Sequence, residues 1–280
     1  WGEPGNGGDS AAVASGLGGT IDVTAIFSTL SAFAALRADG SVVTWGFGGL
    51  GGDSTAVATQ LDGTVDVTTI ASTGSAFAAL RADGSVVTWG NANDGGNSGS
   101  VASALNGTID VVGIASTTSA FAAIRTDGSV VTWGDANNGG NSSLVAPAIN
   151  GTIDVVGISS TNTAFAALRS DGSVVTWGDA GAGGSSAAVA SQLDGTIDVT
   201  RIYGNTLAFA ALRSDGAELV PVQIRMAKHA AAIGYLSIGL ETFCSLADVR
   251  DRHMGELGLD LQLLLANLST FGPDDYLDAQ

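Results

Sequence analysis

Five tryptophans stand 44 residues apart, at Trp1, Trp45, Trp89, Trp133 and Trp177, and they are all the tryptophans of the chain. The same step of 44 carries Phe33, Phe77, Phe121, Phe165 and Phe209, and also Ile26, Ile70, Ile114, Ile158 and Ile202. Arg37, Arg81, Arg125, Arg169 and Arg213 keep the same register, which runs unbroken from Trp1 to Gly216. A fixed period of this length marks a repeat architecture: each unit is one supersecondary motif, and neighbouring units stack to bury a continuous core. Whatever one unit becomes, all of them become.

The unit that opens at Trp89 shows what that is. Three strands are expected, at 109–115 (IDVVGIA), 119–125 (SAFAAIR) and 129–133 (SVVTW), with turn pairs at Asn106-Gly107 and Asp127-Gly128. β-Branched runs separated by a short Asp-Gly turn predict a hairpin. The stretch 95–105 is expected to be a fourth edge strand or an irregular crossing. Helix is disfavoured, because Gly and β-branched residues are dense and no 3.6-residue period persists. Composition agrees: 41 glycines, 45% apolar and only 13% charged residues suit an all-β chain with many tight turns. Units of about 44 residues with three or four short strands have the size of a β-propeller blade. The aromatic ladders, Trp45, Trp89, Trp133 and Trp177 with Phe77, Phe121 and Phe165, are assigned to the packing between blades. The repeated Arg is expected to pair, within or between blades, with the Asp that recurs at 22, 66, 110, 154 and 198.

The phrase AALRADGSVVTWG at 34–46 returns at 78–90, at 122–134 with Ile124 in place of Leu and Thr126 in place of Ala, and, with Ser170 for Ala, at 166–178. It resembles the signature of the regulator-of-chromosome-condensation (RCC1) repeat family. The preceding segment V-x-x-x-L-x-G-T-I-D-V is similar to the branch that includes a secreted bacterial inhibitor of β-lactamases. The resemblance spans residues 1–216 and implies an RCC1-like β-propeller of about five units. The family commonly closes seven blades. Five units imply a smaller ring, a fragment, or an open blade stack completed by another chain; the opening at Trp1-Gly2, mid-repeat, reads as a piece of something longer. The family also includes a chromatin-bound exchange factor for a small GTPase and plant light sensors. The light sensors' Gly-Trp-Arg-His-Thr phrase and the exchange factor's long wedge insertion have no counterpart here, so neither activity is carried over.

Positions shared by every unit read as scaffold, and positions that differ are available for recognition. Two stretches differ most. One follows each Trp-Gly: Glu3 to Asn6, Phe47 to Leu50, Asn91 to Asp94, Asp135 to Asn138, and Asp179 to Ala182. The other lies between two strands: Phe27 to Leu30, Ala71 to Gly74, Ala115 to Thr118, Ser159 to Asn162, and Tyr203 to Thr206. Loops at one end of a scaffold commonly carry binding. The candidate binding residues are Phe27, Phe47, Leu50, Asn91, Asn93, Asp94, Asp135, Asn137 and Tyr203. Aromatic residues there are interface anchors, or they pack against neighbouring segments. The Asn, Asp and Gly clusters at 91–97 and 135–141 serve turns or, as oxygen-rich loops, calcium; their spacing matches neither the EF-hand loop nor the Gly-Gly-x-Gly-x-Asp repeat, and no metal or cofactor is assigned.

After Gly216 the repeat gives way: AELVPV replaces SVVTWG, with Pro221 where Trp is due. Residues 217–280 are read as a capping or linker segment, mostly helical, with Ser245 and Asp248 as a start signal. The apolar run 230–240 is too short to span a bilayer. His229, His253 and Cys244 lie outside the repeats, and no nucleotide loop, zinc spacing or nucleophile elbow is present, so the chain reads as non-catalytic. A net charge of −17 disfavours nucleic acid and favours a cationic protein surface. The functional expectation is an extracellular or cell-surface bacterial module that binds a protein or a glycan through its blade loops. The alternatives are a structural subunit that self-associates through the C-terminal segment, and a secreted enzyme inhibitor.

Overall fold

The computed structural model describes residues 2–215; the segment 217–280 and its expected helices lie outside the described residues. The described residues are all-β, built from propeller-type blades. Four blades each hold a three-stranded antiparallel meander: β1 (Val23–Ser28), β2 (Ala32–Arg37) and β3 (Val42–Gly46); β4 (Val67–Ser72), β5 (Ala76–Arg81) and β6 (Val86–Gly90); β7 (Val111–Ser116), β8 (Ala120–Arg125) and β9 (Val130–Gly134); β10 (Val155–Ser160), β11 (Ala164–Arg169) and β12 (Val174–Gly178). The fifth contributes β13 (Val199–Gly204) and β14 (Phe209–Arg213) among the described residues. The strands fall within a residue or two of their expected limits. No helix among the described residues is long and apolar enough to cross a membrane.

The middle-strand sequence AFAALR explains the stacking. Side chains alternate between the faces of a strand. In β5 this sends Ala76, Ala78 and Leu80 to one face and Phe77 and Ala79 to the other. The small face receives the large face of the next blade: Ala76, Ala78 and Leu80 pack in one cluster with Phe121, Ala123 and Trp133. Ala32, Ala34 and Leu36 meet Ile70, Phe77 and Trp89 in the same way. Within each blade the Phe and Trp are cross-strand partners, as at Phe121 and Trp133, and their rings stack at 5.2 Å. Phe77, Phe121 and Phe165 are fully buried, which is worth roughly 2–3 kcal/mol each. The Trp133 indole N–H donates to the carbonyl of Gly95 at 3.0 Å, and Trp89 and Trp177 repeat the bond to Gly51 and Gly139.

Each hairpin closes through a three-residue loop. Gly40 N donates to the Arg37 carbonyl and Arg37 N to the Ser41 carbonyl, with Gly40 at φ +72°, a type I turn followed by a glycine bulge. A Cβ on Gly40 would stand 2.5 Å from Asp66 of the next blade, so this glycine also sets the blade spacing.

Two expectations are settled by the structure. Of the two forms expected for 95–105 it is the irregular crossing that is found: a 3₁₀ turn at Gly99–Ala104 follows a first turn at Ala92–Asp94, which Asn91 caps by accepting from Asn93 N and Gly95 closes in the left-handed region. The Arg ladder pairs with a different acid from the one expected. Arg37, Arg81, Arg125 and Arg169 reach Asp39, Asp83, Asp127 and Asp171, the turn residues two positions on, at 3.4–3.7 Å. Asp22, Asp66, Asp110 and Asp154 instead offer backbone carbonyls to Ala38, Ala82, Thr126 and Ser170. The turn brings the nearer acid back beside the strand end, and the hydroxyls of Ser41, Ser85, Ser129 and Ser173 bond both partners.

Those turns make the fold acid-sensitive. The hydroxyl of Ser41 donating to Asp39, and that of Ser85 donating to Asp83, hold both carboxyls below the ordinary value of 3.8, with the neighbouring Arg helping. A carboxyl lowered in the folded state stabilises it above its unfolded pKa, and that contribution is lost as pH falls through the folded one. The denaturant midpoint should therefore be flat at neutral pH and drop toward about pH 3, and Ser85→Ala should shrink the drop. A midpoint that holds or rises on acidification contradicts this account.

Candidate functional site

The six residues of a middle strand such as β8 carry the chain about 20 Å, from the loop at Thr117–Ser119 to the turn at Asp127-Gly128. The blades therefore have two distinct ends. The two variable stretches, read separately in the sequence, meet at the same end through residues 21 apart along the chain. The Thr117 hydroxyl donates to the carbonyl of Asn138 at 2.9 Å, joining the hairpin loop of one stretch to the post-Trp loop of the other. Thr29 does the same to Leu50, Thr73 to Asp94 and Thr161 to Ala182, at 2.9–3.1 Å. Each hydroxyl also accepts the N–H two residues on, as at Ser119. In the fifth blade Asn205 stands at this position and accepts from Leu207 N and Ala208 N.

This threonine was not among the candidate residues, although the signal was present: within a stretch read as variable, its third position is Thr in four units out of five. Thr117 is buried, so Thr117→Val leaves a carbonyl and two N–H groups short of a partner. It should cost about 1–3 kcal/mol and accelerate amide exchange at Ser119 and Ala120. Unchanged exchange at both would deny the hydroxyl this bridging role.

The structure sorts the candidates into three groups. Phe47 is 54% exposed and its N–H is held by the Ser31 carbonyl at 2.8 Å. Leu50 lies half-buried in the same loop, and Leu30, also missed, is 82% exposed beside it. Phe27 is corrected from a loop residue to a strand residue: it sits on β1, half-buried against the first blade interface. Leu30, Phe47 and Leu50 form one corner, because the Phe47 N–H bond to Ser31 and the Thr29 hydroxyl bond to Leu50 hold their two loops together. Tyr203, likewise exposed, is on β13 rather than a loop and lies four blades away in the chain order.

The Asn and Asp candidates form the third group, and their side chains are largely used by the turns they start. Asn91 accepts from Asn93 N, and Asp135 from Asn137 N and Asn138 N. Asp94 accepts from the Ser75 hydroxyl. Asn93 and Asn137 are the exposed loop tips. Among the described residues no three His, Cys, Asp or Glu gather as they would around a metal ion. The acids of the hairpin turns, Asp39, Asp83, Asp127 and Asp171, are at the opposite end of the blades, so much of the negative charge faces away from the variable loops.

Repeated three-stranded blades with their variable loops collected at one end are the architecture of a β-propeller repeat protein. Solved structures similar to the chain include the ectodomain of the receptor kinase CR4 from Physcomitrella patens, at 16% identity and a TM-score of 0.44, covering 73% of this chain and 50% of that one. They also include the ectodomain of the receptor kinase ACR4 from Arabidopsis thaliana, at 14% identity and a TM-score of 0.43, covering 69% and 60%. Prp20p from Saccharomyces cerevisiae is similar at 18% identity and a TM-score of 0.43, covering 71% and 58%. The chain thus spans about half to three-fifths of these proteins' lengths. No family model and no curated protein matches it.

Proposed function

We propose that this chain is a non-catalytic binding module, acting at the cell surface or outside the cell, whose variable-loop end seats a protein partner. The observation that carries the reading is the corner of Leu30, Phe47 and Leu50: large apolar side chains where the matching loops of other blades hold Gly, Thr, Asn, Asp, Glu or Ala, presented on a repeated scaffold. Anchors of this kind, at the same end of the blades as the polar loop tips Asn93 and Asn137, have the make-up of a protein interface. The far end, with its acidic turns, supplies long-range attraction for a cationic surface rather than contacts.

The test is a binding screen of the chain against arrays of extracellular protein domains and of glycans. A protein ligand should be found whose affinity falls about tenfold or more in Phe47→Ala and Leu30→Ala, and is kept in Asp62→Asn at the far end. A ligand lost with Asp62→Asn but indifferent to Phe47 and Leu30, or recognition confined to glycans, would overturn the reading.

A further inference from the structure

The four complete blades end on the edge strands β3, β6, β9 and β12, and beside each runs the crossing that leads to the next blade. In the second blade that crossing is tied to β6 at two places. Val86 N donates to the Leu105 carbonyl at 2.9 Å, and the Thr88 hydroxyl donates to the Gly96 carbonyl at 3.3 Å. Between the ties lies a groove of about 460 Å³, within the size range of ligand sites. Its apolar lining includes Val57, Val87, Ala102 and Leu105, and its polar lining includes Gln60, Arg81, Asp83, Asn97 and Asn106. Every lining residue falls within 57–106, so the groove belongs to the interior of the array, with a described blade on either side.

Comparison between units singles this groove out. The first, third and fourth blades carry Gly16, Ala104 and Ala148 in place of Gln60. At the places of Asn97 and Asn106 the first blade has Asp53 and Asp62, and the fourth has Ser185 and Asp194. Among these four blades, only the second therefore collects three exposed carboxamides. Asn97 and Asn106 each accept a backbone N–H on the side-chain oxygen, from Gly99 and Thr108, at 2.9 Å. Those bonds fix the two carboxamides and leave their NH₂ groups as donors for a ligand. Arg81 is also placed unlike its counterparts. Arg37, Arg125 and Arg169 donate from Nε to the serine of their turn at 2.7–2.8 Å. Arg81 donates from Nη1 to Ser85 at 3.2 Å, and its buried Nε has no partner among the described residues. Asp83, at 3.6 Å, meets its charge.

We propose that this groove holds an extended, uncharged peptide segment, with an aliphatic side chain against Val57, Val87, Ala102 and Leu105 and backbone carbonyls accepting from Asn97 and Asn106. Fixed NH₂ donors call for acceptors, and a peptide brings one carbonyl per residue. The Gln60 carboxamide both donates and accepts, so it matches a whole peptide unit. The Arg81–Asp83 pair leaves the named lining without net charge, and an ionic ligand would find no counter-charge there. The apolar lining is aliphatic, with no aromatic ring for a sugar to stack on. Peptides held in this way draw affinity from main-chain hydrogen bonds and specificity from a side-chain pocket. The stretch of β6 from Val86 to Thr88 gives such a segment room for about three residues. The groove shares no residue with the corner of Leu30, Phe47 and Leu50, and neither site depends on the other.

The test is selection of a displayed random heptapeptide library on the full chain, followed by titration of an end-blocked synthetic copy of the recovered peptide. The comparison variant joins Asn97→Asp and Asn106→Asp. Aspartate stands at both places in the first blade and accepts the matching N–H groups there, from Thr55 and Thr64, so the turns are kept while the NH₂ donors are lost. Recovered peptides should share an aliphatic residue and lack charged ones, and should bind this double variant about tenfold or more weakly than the wild type. Gln60→Ala should weaken binding too, and it carries the test should the double variant lose its β circular-dichroism spectrum. Asn141→Asp with Asn150→Asp, in the third blade, should leave binding unchanged. A library that yields no such peptide, or a peptide held equally by the wild type and the groove variants, would overturn the proposal. So would Asn97 and Asn106 NH₂ resonances that shift with chitotriose and not with the peptide. A peptide lost with Phe47→Ala but kept by the groove variants would sit at the loop corner, which overturns this site and leaves the proposed function standing.

Discussion

Replacing Phe121 by Ala is expected to cost about 3–5 kcal/mol, among the largest losses expected of a single side chain in the described array. The ring is fully buried, stacks on Trp133, and fills the cleft formed by Ala76, Ala78 and Leu80 of the preceding blade. Truncation therefore removes the transfer energy of the ring and leaves a cavity between two rigid sheets that can collapse only a little. Phe33 is the internal control. It has the same partners within its blade, Trp45 at 5.2 Å, but it is only half-buried, so Phe33→Ala should cost distinctly less. In an array of stacked repeats stability is approximately a sum of unit and nearest-neighbour terms. Loss of the central contact should consequently split the urea transition, monitored by tryptophan fluorescence, into two. Equal costs for the two variants, or a single unbroken transition for Phe121→Ala, would contradict this picture of stacking.

The same contrast shows how far the sequence could be read. The Trp, Phe and Ile ladders determine the repeating unit, its strand order and its core, because an unbroken period forces equivalent residues into equivalent places. The Asp-Gly hairpins were legible for the same reason. What escaped was anything decided by three-dimensional proximity between stretches of one unit. Arg37 pairs with Asp39 rather than Asp22 because the bulged turn folds the nearer carboxylate back onto the strand end, and spacing along the chain ranks neither acid first. Asn91 and Asp135 looked like free ligands for a partner, yet they spend their oxygens on backbone N–H groups two residues away, as short polar side chains do at the start of a turn. The candidate face itself was half legible. Its two loops could be named from their variability, and Phe47 from its being out of place among polar residues. That they meet depends on Thr29, Thr73, Thr117 and Thr161, whose constancy was hidden inside segments read as variable. Leu30 was passed over beside Phe27, although in the structure it is Leu30 that faces solvent.

Gly95→Ala is expected to be nearly as damaging, at about 3 kcal/mol, and for two separable reasons. Its φ of +98° lies where a residue with a Cβ is strained by about 1–3 kcal/mol. That Cβ would also stand 2.5 Å from Phe121 Cδ2, and the ring, fully buried, has nowhere to go, which adds a similar overpacking cost. Gly113 on β7 supplies the contrast: nothing lies within 4 Å of a Cβ built there and its φ is not positive. Gly113→Ala should then be neutral or stabilise by up to about 1 kcal/mol, by restricting the unfolded chain. Urea midpoints of the two variants, taken with the wild type, decide the matter, and similar values for both would show that neither φ nor the ring contact governs this position. The consequence reaches the loops. Gly95 closes the turn Ala92–Asp94 and its carbonyl receives the Trp133 indole at 3.0 Å. A substitution there must displace either the aromatic pair of the core or the loop that carries Asn93 and Asp94. The small residue that lets the blades stack is also what holds the variable loop at a fixed height above them, so a scaffold this repetitive can vary its loop tips freely only while this glycine is kept.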